Sequence, residues 1–254
     1  MLTLGSGRAK IHAMPMIVSP IPALQDNYAW LLHEPASGFT AVVDPPEAEP
    51  ILAALKQAGG KLDCILLTHH HADHIGGAEA LRAQFGARIV GARKDQHRLP
   101  RLDEAVSEGD AVRLGPAAAQ VLETPGHTRG HIAYYVPEAK ALFCGDTLFS
   151  LGCGRLFEGT AEEMFQSLQK LAALPGDTLV CCGHEYTASN ARFALSVDPD
   201  NAALKSRAAE VERLRAAGLP TVPSRLAEER AANPFLRAPD AGVFASLRAK
   251  KDKF

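Results

Sequence analysis

The chain has 254 residues, a formal net charge of −2, 46% hydrophobic residues and 22% charged residues. That length allows one large domain, or a main domain with an appendage, with enough apolar surface to bury a core without disulfide staples. The near-neutral charge excludes a whole-chain electrostatic claim on nucleic acid, and no apolar run approaches the roughly eighteen residues of a membrane span.

Residues 1–13 carry turn formers and scattered charge and are set aside as an N-terminal extension ahead of Met14. Apolar, β-rich runs bounded by turn residues then read as strands at Tyr28–Leu32 and Thr40–Val43. Helical periodicity over Glu47–Ala58 is followed by a strand at Cys64–Leu67 and a helix at Gly77–Phe85. Arg88–Val90, Val121–Thr124, Ile132–Val136 and Ala141–Cys144 continue the strand pattern. Ala161–Leu174 reads as a helix behind a Thr-x-x-Glu capping box from Thr160 to Glu163, and Thr178–Cys182 as the last strand. After Tyr186 the composition turns to Ala, Leu and charge, with a helix over Asn201–Ala217 and a basic ending, RAKKDKF. Alternating strands and helices indicate an α/β layered domain over 14–185, followed by a mainly helical C-terminal domain over 186–254. The five cysteines are odd in number, form no C-x-x-C and mostly sit in strand runs, so they read as reduced thiols of a cytoplasmic protein.

The stretch Ile65–Gly77, ILLTHHHADHIGG, packs four of the ten histidines and an aspartate into positions 69–74. On an extended or loop backbone alternate side chains point the same way, so His69, His71 and Asp73 converge just past a strand. His74 follows Asp73 directly, so these two face a second point beside the first, and Gly76 and Gly77 release the chain into a helix. Imidazoles with a carboxylate suit zinc, iron or manganese, whereas thiolates would mark a closed structural zinc site. A surface histidine patch would account for this segment alone, but three later segments repeat an apolar strand ending in a ligand-type residue beside glycine. They are VLETPGHTRGH with His127, ALFCGDTLF with Asp146 and LVCCGHEYT with His184. These ligands are too many for one four- to six-coordinate ion, so two metals are expected. His69, His71 and His127 are assigned to the first, Asp73, His74 and His184 to the second, and Asp146 to the bridge. His70 and His131 take supporting roles, Asp44 a hydrogen bond to a ligand imidazole, and Cys182 that of a packed thiol.

The series THHHADH, TPGHTRGH, CGDTLF and GHEYT resembles the metallo-β-lactamase superfamily, which implies an αββα sandwich of two β-sheets flanked by helices. GCGRLFEGTAEEM, GHEYTASNARFAL, TVPSRLAEERAANPF and RAKKDKF resemble the glyoxalase II, or hydroxyacylglutathione hydrolase, family over nearly everything after Met14. The resemblance implies a two-metal site on the same seven ligands, glutathione contacts at Arg155, Tyr186, Arg248 and Lys251, and S-D-lactoylglutathione as typical substrate. Two departures stand out. Many members carry lysine where Arg155 stands, which keeps the charge and alters the hydrogen-bond geometry, and many carry tyrosine where Phe157 stands, so a hydroxyl is missing here.

Two cations sharing a water would lower its pKa from about 15.7 towards 7 and give hydroxide at neutral pH. A thiolate leaving group of pKa about 8.5 departs without a strong general acid, and no G-x-S-x-G nucleophile is present. The expectation is therefore a monomeric metal-dependent thioester hydrolase in which the bridging hydroxide is the nucleophile. Zinc is the expected metal, with iron or manganese as alternatives. The partner is a glutathione thioester, with neither nucleic acid nor membrane involved. Three other readings share parts of the pattern: a persulfide dioxygenase with one iron held by two histidines and a carboxylate, another hydrolase of the superfamily, and a non-catalytic metal-binding protein. The complete second ligand set and the basic tail argue against the dioxygenase, the tail against the second, and thioester turnover would separate the third.

Overall fold

A computed structural model describes residues 16–254, so the extension over 1–13 lies outside the described residues. Two six-stranded sheets face one another. The first runs β1 (Ile17–Ala23), β2 (Asn27–Glu34), β3 (Phe39–Val43), β4 (Cys64–Leu66), β5 (Arg88–Ala92) and β6 (Glu104–Val106), antiparallel from β1 to β3 and parallel from β3 to β6. The second contains β7 (Ala111–Leu114), β8 (Ala117–Glu123), β9 (Ile132–Val136) and β10 (Ala141–Gly145); a small hairpin, β11 (Leu148–Phe149) and β12 (Gly152–Cys153), follows. β13 (Leu179–Cys182) lies parallel to β10, and β14 (Ser224–Arg225) closes that edge antiparallel to β13. The eight expected strands and four expected helices are all present, with ends shifted by a few residues.

Period-two alternation explains the layering. On β2, Trp30 and Leu32 enter the core between the sheets, while Ala29 and Leu31 face the opposite way. Those outward residues meet Ile51 and Leu55 of α1 (Ala48–Gln57) and Leu81 of α3 (Ala78–Phe85), which follows the single turn α2 (Ala72–Ile75). A sheet buried on both faces needs near-continuous apolar runs, as in Cys64–Leu67. The second sheet is covered by α4 (Ala161–Ala172), whose Met164, Leu168 and Leu171 are fully buried. Its start is the expected capping box: Thr160 Oγ1 accepts from Glu163 N at 3.1 Å and Glu163 Oε2 accepts from Thr160 N at 2.7 Å. The result is the αββα sandwich.

Residues after 186 form α5 (Thr187–Val197), α6 (Ala202–Ala216), α7 (Leu226–Ala232) and α8 (Ala241–Lys251). They do not stand apart from the sandwich. β14 pairs with β13, α8 packs on α4, and Phe244 of α8 joins the main core. Leu151 N donates to Glu229 Oε2 at 2.7 Å, and Asn233 Nδ2 donates to the carbonyls of Phe149 and Gly152 at 3.1 and 3.0 Å. The ANPF stretch thus clamps the hairpin that follows Asp146.

Topology gathers the loops at one edge. The C-terminal ends of β4, β8, β10 and β13 and the start of β9 lie together, tied by Ile132 N to Thr68 O at 3.0 Å and Gly183 N to Gly145 O at 2.9 Å. Tyr28 N to Gly183 O at 2.8 Å links the two sheets there. Gly76 and Gly77 are needed at this edge because the chain presses on the loop between β3 and α1; a Cβ on Gly77 would sit 2.6 Å from the Glu47 carbonyl carbon. Since backbone cannot yield as a flexible side chain does, Gly77→Ala should destabilise the fold by about 1–3 kcal/mol. A urea midpoint unchanged from the parent protein would show that the loop accommodates the methyl.

Candidate metal centre

Two groups of ligand-type side chains meet at that edge. His69, His71 and His127 form the first and Asp73, His74 and His184 the second, the ligand atoms of each lying within 4.8 Å of one another. His69 follows β4 directly after Thr68, and His71 caps α2. A helical turn begins at Ala72, so Asp73 and His74 leave the alternation of the preceding residues. That turn sends Asp73 to the second group, away from His69 and His71, where simple alternation would have aimed it.

Hydrogen bonds on the far side of the His69 and His127 rings fix their tautomers. Thr68 Oγ1 donates to Asp44 Oδ2 at 2.6 Å and so accepts from His69 Nδ1 at 3.0 Å, leaving a lone pair on His69 Nε2. His127 Nδ1 donates to the Arg155 carbonyl at 2.9 Å, which leaves its Nε2 lone pair free. Both lone pairs face His71 Nδ1, each at 3.1 Å. A tetrahedral zinc with bonds of about 2.0–2.1 Å needs nitrogens about 3.3 Å apart, so this spacing fits a cation. Burial, then the neighbouring imidazoles, hold His69 well below the ordinary histidine pKa, and burial with His127 and His70 lowers His71 to about 4. Both rings are therefore neutral and able to coordinate at neutral pH.

The second group has the opposite electrostatics. His74 Nδ1 donates to Asp44 Oδ2 at 3.1 Å and His184 Nδ1 to Asp26 Oδ1 at 2.9 Å. Their Nε2 atoms, 3.4 Å apart, turn towards the carboxylates: His184 Nε2 is 3.4 Å from both Asp73 Oδ2 and Asp146 Oδ2, and His74 Nε2 is 3.4 Å from Asp146 Oδ1. Burial opposes a proton on His74, yet Asp146, Asp44 and Asp73 together raise its pKa to about 9. A divalent cation would take the place of that proton. Asp146 stands between the groups, with Oδ2 also 3.5 Å from His127 Nε2. Its Oδ1 is buried without a hydrogen-bond partner among the described residues, as suits an oxygen shaped for a metal. Against the cost of burial, His74, His184 and His127 keep the Asp146 carboxyl ionised, well below the usual range.

The supporting residues divide as follows. His131 is buried, accepts from Asp146 N at 3.1 Å, and its Nδ1 lies 2.9 and 3.2 Å from the Thr124 and Thr147 hydroxyls. His70 turns away from the cluster, its Nδ1 3.2 Å from Asp95 Oδ2. Asp44 supports His74 as anticipated, and Cys182 is a buried thiol, as are the other four cysteines, none of them in a disulfide. Asp26 and Asn27 were missed from sequence: Asp26 backs His184, and Asn27 Nδ2 donates to Asp73 Oδ2 at 3.1 Å. Asp26 ends the β1–β2 turn and Asn27 opens β2, where no local pattern marks them.

A cleft of about 640 Å³ opens from His127 and Asp146. Arg155, Tyr186, Arg248 and Lys251 all line it, together with Arg192, a residue the sequence did not flag. Tyr186 stacks on His184, with ring centres 4.7 Å apart and planes 4° from parallel. Phe157 is exposed at the mouth, its ring 5.2 Å from that of His127. No helix among the described residues is long and apolar enough to cross a membrane.

Residues 26–184 match the family model of the metallo-beta-lactamase superfamily, and residues 185–254 that of the hydroxyacylglutathione hydrolase C-terminus. The chain is 56% identical over 255 residues to a hydroxyacylglutathione hydrolase of Ruegeria pomeroyi, covering 95% of this chain and 100% of the relative. It is 60% identical over 237 residues to one of Acidiphilium cryptum, covering 93% and 96%. Among solved structures, ETHE1 from Myxococcus xanthus superposes with a TM-score of 0.69 at 27% identity, covering 92% of this chain and 90% of its own.

Asp44→Asn tests the support of the second group. The amide replaces one of two accepting oxygens by a donor facing other donors, so it should weaken zinc binding by about 10–100-fold in a chelator competition. Unchanged affinity would mean that His74 is oriented by other contacts.

Proposed function

The chain belongs to the metallo-beta-lactamase superfamily and, within it, to the hydroxyacylglutathione hydrolases; from that footing we propose that it cleaves S-(2-hydroxyacyl)glutathione, typically S-D-lactoylglutathione, to glutathione and a 2-hydroxy acid, through two divalent cations. It is a thioester hydrolase. The observation that carries the two-cation reading is the buried Asp146 carboxylate standing between two ligand groups at the inner end of a cation-lined cleft.

In this reading His69, His71 and His127 would hold one cation and Asp73, His74 and His184 the other, with Asp146 standing between the two groups. When bound, the cations supply an ionisable water at neutral pH and a Lewis acid for the thioester carbonyl, with zinc the expected metal and iron or manganese alternatives. The remaining work falls to the chain. Thr68, Arg155, Asp44 and Asp26 hold the imidazoles in the tautomers that face inward, and His131 fixes the backbone of Asp146. Arg155 and Lys251 present positive charge to the glutathionyl carboxylates, and Tyr186 offers a ring face and hydroxyl beside His184. Because a thiolate leaves unaided, the site needs no strong protein acid beside the sulfur. The buried, unpaired thiols suit a reducing, cytoplasm-like compartment. A single-iron persulfide dioxygenase is disfavoured, since it would leave Asp73, His74 and His184 without a task.

Three measurements test the proposal. Fully loaded active protein should contain close to two metal ions per chain by elemental analysis, and a reproducible plateau at one would overturn the binuclear site. Chelator-stripped protein should lose hydrolysis of S-D-lactoylglutathione and regain it on reloading. Asp146→Ala should lose most activity and release metal from both groups; near-normal turnover with two metals bound would remove Asp146 from the bridge.

A further inference from the structure

Four cationic side chains line the cleft, and they differ in what already holds them. Arg248 is 5% exposed, and its fork is occupied: Nη1 donates to the Cys153 carbonyl at 2.9 Å, while Nε and Nη2 donate to Asp252 Oδ1 at 3.1 and 2.8 Å. Lys251 Nζ is tethered to Ser189, 3.2 Å from Oγ and 3.3 Å from the carbonyl, and lies 5.4 Å from the ring centres of both Phe193 and Phe254. Arg155 sits near the metal end, where its carbonyl holds His127. Arg192 is different. It stands on α5 one turn after Ser189, lines the cleft, is exposed, and makes no hydrogen bond or ion pair among the described residues.

Position and chemistry select Arg192 for a task. Ser189 holds the Lys251 ammonium on the same stretch of α5, so Arg192 and Lys251 share the outer part of the cleft. Burial and the charges of Arg248, Arg192 and Arg155 all lower the Lys251 pKa, so these cations repel one another across one space. Asp252 is the single carboxylate among the outer residues of the cleft, and it is spent on Arg248. An anionic group entering there would relieve the repulsion, and a planar guanidinium with no partner can meet a carboxylate through two parallel hydrogen bonds. Arg248, with both edges taken, cannot offer such a fork without first giving up Asp252.

We infer that Arg192 is a substrate-binding residue that forks one of the two carboxylates of the glutathionyl group, with Lys251 as the adjacent point charge. The inference rests on the thioester reading above and adds a residue to it: Arg192 joins the contacts expected at Arg248 and Lys251, and it is the one of these cations whose fork has no partner among the described residues. Because Arg192 makes no hydrogen bond or ion pair to any candidate metal ligand, it acts on binding more than on the chemical step.

The test compares wild type, Arg192→Ala and Arg192→Lys on two substrates: S-D-lactoylglutathione and its diethyl ester, in which both carboxylates are capped. Arg192→Ala should raise KM for the diacid about ten-fold or more with kcat changed less than about two-fold. It should leave the diester kinetics unchanged, and Arg192→Lys should recover part of the loss by restoring charge without the fork. Equal effects on diacid and diester, or no effect on either, would overturn the inference. If Arg192→Ala folds poorly, Arg192→Lys carries the same comparison, and an unchanged KM ratio between the substrates would again refute it. Failure of the wild-type protein to hydrolyse either thioester would instead overturn the functional reading itself.

Discussion

The metal-binding edge depends on one buried carboxylate, Asp44. It closes β3 in left-handed backbone, φ 48°, a conformation that aspartate tolerates better than most residues and that here precedes a proline. Its Oδ1 accepts from Thr68 N at 2.8 Å, and its Oδ2 accepts from the Thr68 hydroxyl and from His74 Nδ1. Three donors offset the several kcal/mol that an unpaired carboxylate would cost in this position. In return, one side chain orients both ligand groups. It does so directly through His74, and indirectly through the Thr68 hydroxyl, which decides the tautomer of His69. The strain at Asp44 is thus held where its carboxylate is most needed.

The same edge explains what could be read from the chain and what could not. Each ligand follows an apolar strand, and strands buried on both faces announce themselves as unbroken apolar runs; this made Cys64–Leu67 and Thr178–Cys182 legible together with the residues beyond them. β1 leaves no strand pattern in the sequence because Pro20 and Pro22 interrupt it, which an edge strand tolerates and a central one does not. Alternation on an extended backbone sends Asp73 towards His69 and His71, whereas a four-residue helical turn carries it to the other group. Asp26 and Asn27 lie 158 and 46 residues from the side chains they support, and such contacts leave no trace in local periodicity. Arg192 belongs to the same class, since a charged residue on an exposed helix has the appearance of ordinary surface until the facing wall of the cleft is known.

The C-terminal segment is built into the catalytic sandwich more deeply than its composition suggests. Glu229 and Asn233 take up backbone groups of the hairpin that follows Asp146, and Arg248 takes up the Cys153 carbonyl at the end of that hairpin. The hairpin is therefore gripped from behind by α7 and α8 while Asp146, just before it, faces the ligand groups. Fixed donors and acceptors behind these loops spare the site much of the reorganisation that unbraced loops would require.

One wall of the cleft includes Lys251, Asp252 and Phe254. All seven candidate ligand residues precede that wall by more than a helix and a strand in the order of synthesis. On a ribosome the chain can thus emerge with its histidines and aspartates already available to cations while the surface that holds the far end of a substrate has yet to be translated. The order of the chain thus separates the two halves of the cleft in time as well as in space: the candidate metal edge is specified first, and the wall carrying Lys251 and Asp252 follows it.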